Sequence, residues 1–179
     1  MEAPILTDSV VTLRQWDMAD ALHVHEMVQD PEIPRFMEIP LSQTAEGVRR
    51  WLSGRAEGWE SGVDMTFAVE ATRGGRLLGS VGLERSMDDA AIAEIGYWIG
   101  SHERQRGFAK RAVMLVAEWA FAEAGIERLE ITTHRDNEAS QRVAATCGFM
   151  REGVLRSYRE HHGQRVDLVM FSRLRCDEL

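Results

Sequence analysis

The sequence holds 179 residues, 44% of them hydrophobic and 28% charged, which suits one globular domain with a single core over residues 1–179. The formal net charge of −8 disfavours nucleic acid as a partner and is compatible with a cationic amine, although an acidic surface also serves plain solubility. No apolar run approaches the ~20 residues of a membrane helix, the first residues lack the basic and apolar parts of a secretory leader, and the two cysteines, Cys147 and Cys176, are too far apart in sequence to suggest a disulfide framework, so a cytoplasmic protein without a membrane partner is expected.

Residues 10–16 alternate and are β-branched, which predicts a first strand. Asp17 or Asp20 can cap a helix over 19–29, and Asp30-Pro31 ends it. Residues 31–40 hold three prolines and read as a loop, yet Ile33, Phe36, Met37 and Ile39 make it apolar enough to line a pocket. A second helix is expected over 45–60, started by Ser42 or Thr44. Strands follow at 66–71 and 77–83 around the turn Arg73-Gly74-Gly75-Arg76, and a fourth at 92–99 after Asp88-Asp89. Residues 108–124 carry apolar groups at helical spacing up to Gly125. A strand at 129–134, a helix at 137–147 and two strands at 149–158 and 166–175, joined through His162-Gly163, complete the chain. The order is β-α-α-β-β-β-α-β-α-β-β. It describes an α/β (α+β) domain, with about seven strands in a mixed, mostly antiparallel sheet and about four helices on its faces. The helix between the strands at 92–99 and 129–134 implies one parallel pairing.

The most informative stretch is where the fourth strand, with Tyr97, Trp98 and Ile99, runs through a short turn into Arg104-Gln105-Arg106-Gly107-Phe108-Ala109-Lys110 and opens a helix. The first turn of a helix has free N–H groups and a positive dipole end, which suit a phosphate. Gly107 and Ala109 let an anion approach the backbone, and Arg104, Arg106, Lys110 and Arg111 add positive charge. The same residues also fit a solvated basic helix start. The glycine count matches neither a Walker loop nor a dinucleotide fingerprint, so spacing alone yields an anion site and not the anion.

Arg104-x-x-Gly107-x-Ala109 resembles the Q/R-x-x-G-x-G/A motif of the GNAT (Gcn5-related) N-acetyltransferases. A second segment, Asp136-Asn137-Glu138-Ala139-Ser140-Gln141-Arg142-Val143 followed by Gly148-Phe149, is similar to that family's D-N-x-x-S-x-x-V…G-F pattern. Val11-Thr12-Leu13-Arg14, Ile33-Pro34-Arg35-Phe36 and Asp167-Leu168-Val169-Met170-Phe171-Ser172 resemble the RimJ/RimL-type branch, named for acetylation of ribosomal-protein N-termini. The resemblance implies a GNAT-like fold and acetyl-CoA as donor. It further implies that the backbone of Tyr97, Trp98 and Ile99 pairs with the pantetheine arm, that the 104–110 loop holds the pyrophosphate, and that Asn137 contacts the arm. The acceptor is then a protein N-terminus or a small amine, with direct transfer in a ternary complex by a monomer or homodimer. An acyl-CoA-binding regulatory module without catalysis is the alternative.

Transfer needs a base for the amine proton and N–H groups for the developing oxyanion, and it benefits from a donor to the departing thiolate. Glu94 shares a strand face with Gly96 and Trp98 and is the first candidate base, with Glu84 at the end of the third strand second; both also fit exposed strand carboxylates. The resemblance puts the oxyanion donors at Trp98 and Ile99. The family's usual tyrosine acid falls at Ala144, so it is absent here. Ser140, one turn after Asn137, can bond the sulfur or the arm, or be a plain helix serine. A peptide acceptor needs an open groove between the 31–40 loop and the last hairpin; a small amine needs a closed pocket with carboxylates.

Other residues invite functional readings that the pattern does not support. His23 and His25 point apart on a helix, and no His, Cys and carboxylate set has metal spacing. His161-His162 reads as a solvated hairpin loop, and Cys147 as a small buried residue with no nearby histidine to activate it. Trp51 and Trp59 lie near one helix face, as core or as pocket wall with Phe36 and Met37.

Overall fold

The computed structural model describes residues 3–37 and 44–177. The chain runs β1 (Leu6–Thr7), β2 (Val11–Arg14), α1 (Ala21–Met27), α2 (Glu32–Phe36), α3 (Ala45–Ser53), α4 (Arg55–Ser61), β3 (Asp64–Ala71), β4 (Leu77–Arg85) and β5 (Ile92–Ile99). It continues through α5 (Phe108–Ala122), β6 (Arg128–His134), α6 (Glu138–Thr146), β7 (Met150–His161) and β8 (Gln164–Leu174), with single 3-10 turns at Met18–Asp20 and Ser101–Glu103. The strands form one sheet in the order β1-β2-β3-β4-β5-β6-β8-β7, antiparallel everywhere except between β5 and β6. The mixed sheet with one parallel pairing is therefore the fold that forms. Among the described residues no helix is long and apolar enough to cross a membrane.

Three elements depart from the pattern expected of the sequence. The two-residue strand β1 joins the edge because Asp8 accepts from the N–H groups of Val10 and Val11 (2.6 and 2.7 Å) and folds the chain back on β2. The expected helix over 45–60 is two helices: Gly54 shares its N–H between the carbonyls of Arg50 and Trp51. The bend seats Gly58 against β3 so closely that a Cβ there would lie 2.1 Å from the Asp64 carbonyl oxygen. The expected loop over 31–40 holds a helical turn, α2, although Pro34 lies within it. Pro34 is third in that helix, where an N–H has no intrahelical partner to lose. The other part of that expected loop, 38–40, and the candidate cap Ser42 lie outside the described residues; Thr44 is the cap of α3, accepting from Gly47 N at 3.1 Å.

Alternation along the strands builds a core on each face of the sheet. Met65, Phe67, Val69, Ile95 and Ile99 face α5 and α4, where Trp59, Phe67 and Trp119 stack edge to face or tilted at 4.8 to 5.7 Å. Ala68 and Trp98 point the other way, into a smaller cluster with Val24, Val28, Ile33, Val48 and Leu52 from α1, α2 and α3. The bend at Gly54 separates the two helix tryptophans: Trp59 is core, whereas Trp51 lines a cavity described below.

The corner from β2 into α1 is fixed by charge. Arg14 donates two bonds of 2.8 Å to the two carboxylate oxygens of buried Asp20 and a third of 2.7 Å to Glu70, while Asp20 also accepts from Asp17 N. Although burial raises the Asp20 pKa, the Arg14 and backbone bonds outweigh it and leave a net depression. Asp20→Asn is expected to lower stability in denaturant melts by about 3 kcal/mol, because it leaves Arg14 short of charge in a half-buried corner. A depressed carboxyl stabilises above its unfolded pKa and loses that contribution as pH falls through the folded value, so the gap between the proteins should close below about pH 3.9.

Candidate active site

The site begins where the parallel pairing stops. β5 and β6 are in register only over Ile92–Arg128, Ala93–Leu129 and Glu94–Glu130. Beyond Glu94, β5 stays on β4 as far as Ile99, and beyond Glu130, β6 stays on β8 as far as His134. The two strands therefore part like a fork. Gly96 and Trp98 keep their backbone bonds to β4, whereas Ile95, Tyr97 and Ile99 turn N–H and C=O groups to the gap with no strand to take them.

The far wall is α6. Asn137 caps it through its side-chain oxygen, which accepts from Ser140 N at 3.1 Å, so the carboxamide nitrogen is the part left for a ligand. At the mouth lies the loop into α5. Gln105 (φ 61°) and Gly107 (φ 80°) adopt left-handed backbone, which suits glycine at 107 and curls the chain so that α5 starts without a side-chain cap. A Cβ added at Gly107 would meet nothing within 4 Å. The free N–H groups of the first turn of α5 thus stand at an open, uncrowded edge.

The charge around this loop differs from expectation. Arg104 donates to the Ile99 carbonyl (3.1 Å) and pairs with Asp30 (2.5 Å), Arg106 pairs with buried Glu103 (2.6 Å) and lies over the Phe108 ring, and Arg111 pairs with Asp8 (2.8 Å). Among the described residues, Lys110 is the one of these four cations without an ion pair. The arginines brace the loop, which leaves Lys110 and the helix N-terminus as the positive charge open to an anion.

A cavity of about 490 Å³ fills the fork, lined by Tyr97, Trp98, Ile99, Arg104, Gln105, Gly107, Phe108, Ala109, Lys110, Asn137 and Ser140. The fold therefore gathers all the residues expected at the cofactor except Arg106, which turns away to Glu103. A second cavity of about 960 Å³ is lined by residues of β3, β4, β5 and β6. The two share Phe36, Met37, Tyr97, Trp98, Asn137 and Ser140, so they meet where the strands diverge.

Across the second cavity runs a row of carboxylates. Asp64, Glu84, Glu94 and Glu130 are register partners on β3, β4, β5 and β6. Neighbouring strands are about 4.8 Å apart, so like charges in such a row repel. Arg55 pairs with Asp64 (2.7 Å), Arg159 with Glu94 (3.1 Å) and Arg128 with Glu130 (2.7 Å). The Thr132 hydroxyl also donates to Glu94. Glu84 has no ion pair among the described residues, and lost hydration together with Asp64 and Glu94 pushes its pKa above the usual carboxylate range. Both expected carboxylates line the cavity, but Glu94 is engaged at both oxygens and Glu84 is not.

Neither Thr132 nor Arg159 was identifiable beforehand, because their link to Glu94 needs the register of β6 and the hairpin. The Tyr97 side chain was missed as well. Its hydroxyl lies 2.8 Å from Ser140 Oγ and 3.2 Å from the Ser140 carbonyl oxygen. Period-two alternation already turned it away from Trp98, which was the available signal.

The groove between α2 and the last hairpin is bridged. His161 Nε2 lies 2.9 Å from the Arg35 carbonyl, His162 Nε2 lies 2.9 Å from the Pro34 carbonyl, and Arg35 pairs with Asp136 at 3.0 Å. His134 stacks edge-on against both His161 and Phe36. The expectation of a solvated loop fails at His161, which is buried because its ring packs under α2. Cys147 is buried as expected, with burial pushing its thiol up to about 11, so it is a poor nucleophile.

Comparison with known proteins agrees with this fold. The Acetyltransferase (GNAT) domain family matches residues 11–150. The Uncharacterized N-acetyltransferase p20 of Bacillus licheniformis is 27% identical over 169 residues, spanning 92% of this chain and 93% of the relative. Two solved structures share the fold: RimL, a ribosomal L7/L12 alpha-N-protein acetyltransferase in complex with coenzyme A (TM-score 0.85, 20% identity, 96% and 98% of the two chains), and Mycobacterium smegmatis RimJ in complex with CoA-disulfide (TM-score 0.83, 23% identity, 96% and 86%). The chain belongs to the GNAT family of N-acetyltransferases, enzymes whose acyl donor is acetyl-CoA.

Proposed function

We propose that the chain moves the acetyl group directly from acetyl-CoA, held in the smaller cavity, to a small cationic amine held in the larger one. The observation that carries this reading is the junction of the two cavities at Tyr97, Trp98, Asn137 and Ser140. On this reading the free backbone of Tyr97 and Ile99 pairs with the pantetheine arm and supplies the oxyanion donors, whereas Trp98, whose backbone is bonded to β4, lines the junction with its side chain. The loop of Arg104, Gln105, Arg106, Gly107, Phe108, Ala109 and Lys110 takes the pyrophosphate, with Arg106 bracing Glu103 rather than touching ligand. Asn137 gives its amide nitrogen to the arm. The uncapped start of α5 and the empty space over Gly107 fit such a group.

The carboxylate row and the bridged groove support a compact amine over a protein N-terminus. Glu84 is the favoured base, acting through a water, because a carboxylate without an ion pair and with a raised pKa accepts a proton more readily than one paired to arginine. Glu94 orients Arg159 and Thr132 beside it. Coenzyme A release should be followed with matched monoamines, diamines and N-terminal peptides. The expected order puts diamines about tenfold or more above monoamines in kcat/KM, with peptides slowest, since a second ammonium gains a charge-assisted bond. Faster turnover on peptides would overturn the acceptor assignment; acetyl-CoA binding with no turnover on any amine would overturn the transfer itself.

Two variants probe the parts separately. Glu84→Gln should lower kcat/KM about 100-fold. In the parent, activity should fall as pH drops through the raised Glu84 pKa, because a protonated base accepts nothing; that acid limb should vanish in the variant. Gly107→Glu should abolish acetyl-CoA binding by calorimetry, because its carboxylate would stand in the phosphate site. Gly107→Asn tolerates left-handed backbone and should keep most of the affinity. Unchanged affinity in Gly107→Glu would remove the loop from the site.

A further inference from the structure

Ser140 is held in an unusual way for a serine inside a helix. Such hydroxyls ordinarily donate to a carbonyl one turn back. Here the Tyr97 hydroxyl, arriving from the strand across the fork, lies 2.8 Å from Ser140 Oγ and 3.2 Å from the Ser140 carbonyl oxygen; the carbonyl can only accept, so the phenol hydrogen points at Ser140, where both oxygens can share it. The backbone N–H of the same residue is tied to Asn137, which fixes the first turn of α6 beneath it. One turn further along α6 stands Ala144, fully buried, so no phenol reaches this place from the helix.

We infer that Tyr97 is a positioning residue: its phenol donates to Ser140 Oγ and thereby aims the serine's own hydrogen at the sulfur of the departing coenzyme A thiolate. The inference rests on the proposed transfer at the cavity junction, which both side chains line. A hydroxyl has one hydrogen and two lone pairs. When Tyr97 donates to one lone pair, the serine hydrogen is left for another acceptor, and the nearest open space is the junction. Without Tyr97 that hydrogen would return to the helix backbone.

The chemistry limits what Ser140 can do. A thiol titrates near pH 8.5, far below an alcohol, so Ser140 does not surrender its proton. It donates a hydrogen bond as the carbon–sulfur bond breaks and the electron pair settles on sulfur. The amine proton goes to Glu84 through water, and the thiolate takes its proton from solvent afterwards. Burial holds the Tyr97 phenol protonated, its pKa raised above the free value, so it remains a donor throughout.

The test reads the thiol directly. With coenzyme A bound, the ultraviolet absorbance of the thiolate is titrated in the parent, Tyr97→Phe, Ser140→Ala and the double variant, with thermal melts confirming that each is folded. The parent should bring the bound thiol about one pH unit below free coenzyme A, as a hydrogen bond to the charged form does. Tyr97→Phe and Ser140→Ala should each raise it back, and the double variant should match Ser140→Ala alone, because the phenol acts through the serine. In amine turnover, Tyr97→Phe should lower kcat about tenfold while KM for acetyl-CoA stays within about twofold. A Tyr97→Phe titration identical to the parent, or additive effects in the double variant, overturns the inference. A shifted thiol in an enzyme that accepts no amine upholds it while sinking the proposed acceptor chemistry.

Discussion

The molecule is organised by a pairing that ends early. After Glu94 and Glu130, β5 and β6 no longer share hydrogen bonds, while each remains tied to its outer neighbour. A buried sheet that simply continued would satisfy every backbone group and leave no room for a ligand. The fork leaves backbone polar groups of Ile95, Tyr97 and Ile99 without strand partners, and such groups are costly in a protein interior unless something else bonds them. The chain accepts this cost between the two hydrophobic clusters. That place is also where α5 and α6 begin and where the two cavities touch.

Around the fork, backbone and side chains divide the electrostatic work. The cationic side chains near the α5 terminus are mostly consumed in bracing: Arg104 ties the loop to Ile99 and Asp30, and Arg106 ties it to Glu103. What remains for an anion is the aligned N–H groups of the helix start and Lys110. Along the second cavity the charge is negative, with arginines paired to every member of the carboxylate row but Glu84 among the described residues. The two cavities therefore differ in electrostatic character, and Tyr97 and Trp98 of β5 line both.

Much of this was legible in the chain because it rests on local signals. The period-two runs gave β3, β4, β5 and β6 within a few residues, and Gly107 with the helical spacing after it marked the start of α5. Asn137 and the following turn marked α6. What was not legible depends on tertiary placement. No periodicity announces that Gly58 must press against the Asp64 carbonyl, which is why α3 and α4 read as one helix. Three prolines argued for a loop, yet Pro34 falls at the one kind of helix position that loses nothing by it. The charge of the loop misled for the same reason: an arginine in sequence is a free cation only until its partner is known, and Asp8, Asp30 and Glu103 are distant or ambiguous until the chain is folded. The Tyr97–Ser140 contact, 43 residues apart in sequence, belongs to the same class.

The carboxylate row has a consequence for how this protein can change. Four acidic residues in register across adjacent strands set like charges side by side, and Glu84, one of the two inner ones, has no ion pair among the described residues. Replacing it with a neutral residue of similar shape removes repulsion from the folded state, so the row opposes thermodynamic robustness. A sheet selected for robustness alone has no reason to keep Glu84, and variants that melt at higher temperature should arise readily at that position. Screens for heat-resistant forms of this enzyme would therefore tend to replace Glu84 first, and with it part of the negative charge that the second cavity presents.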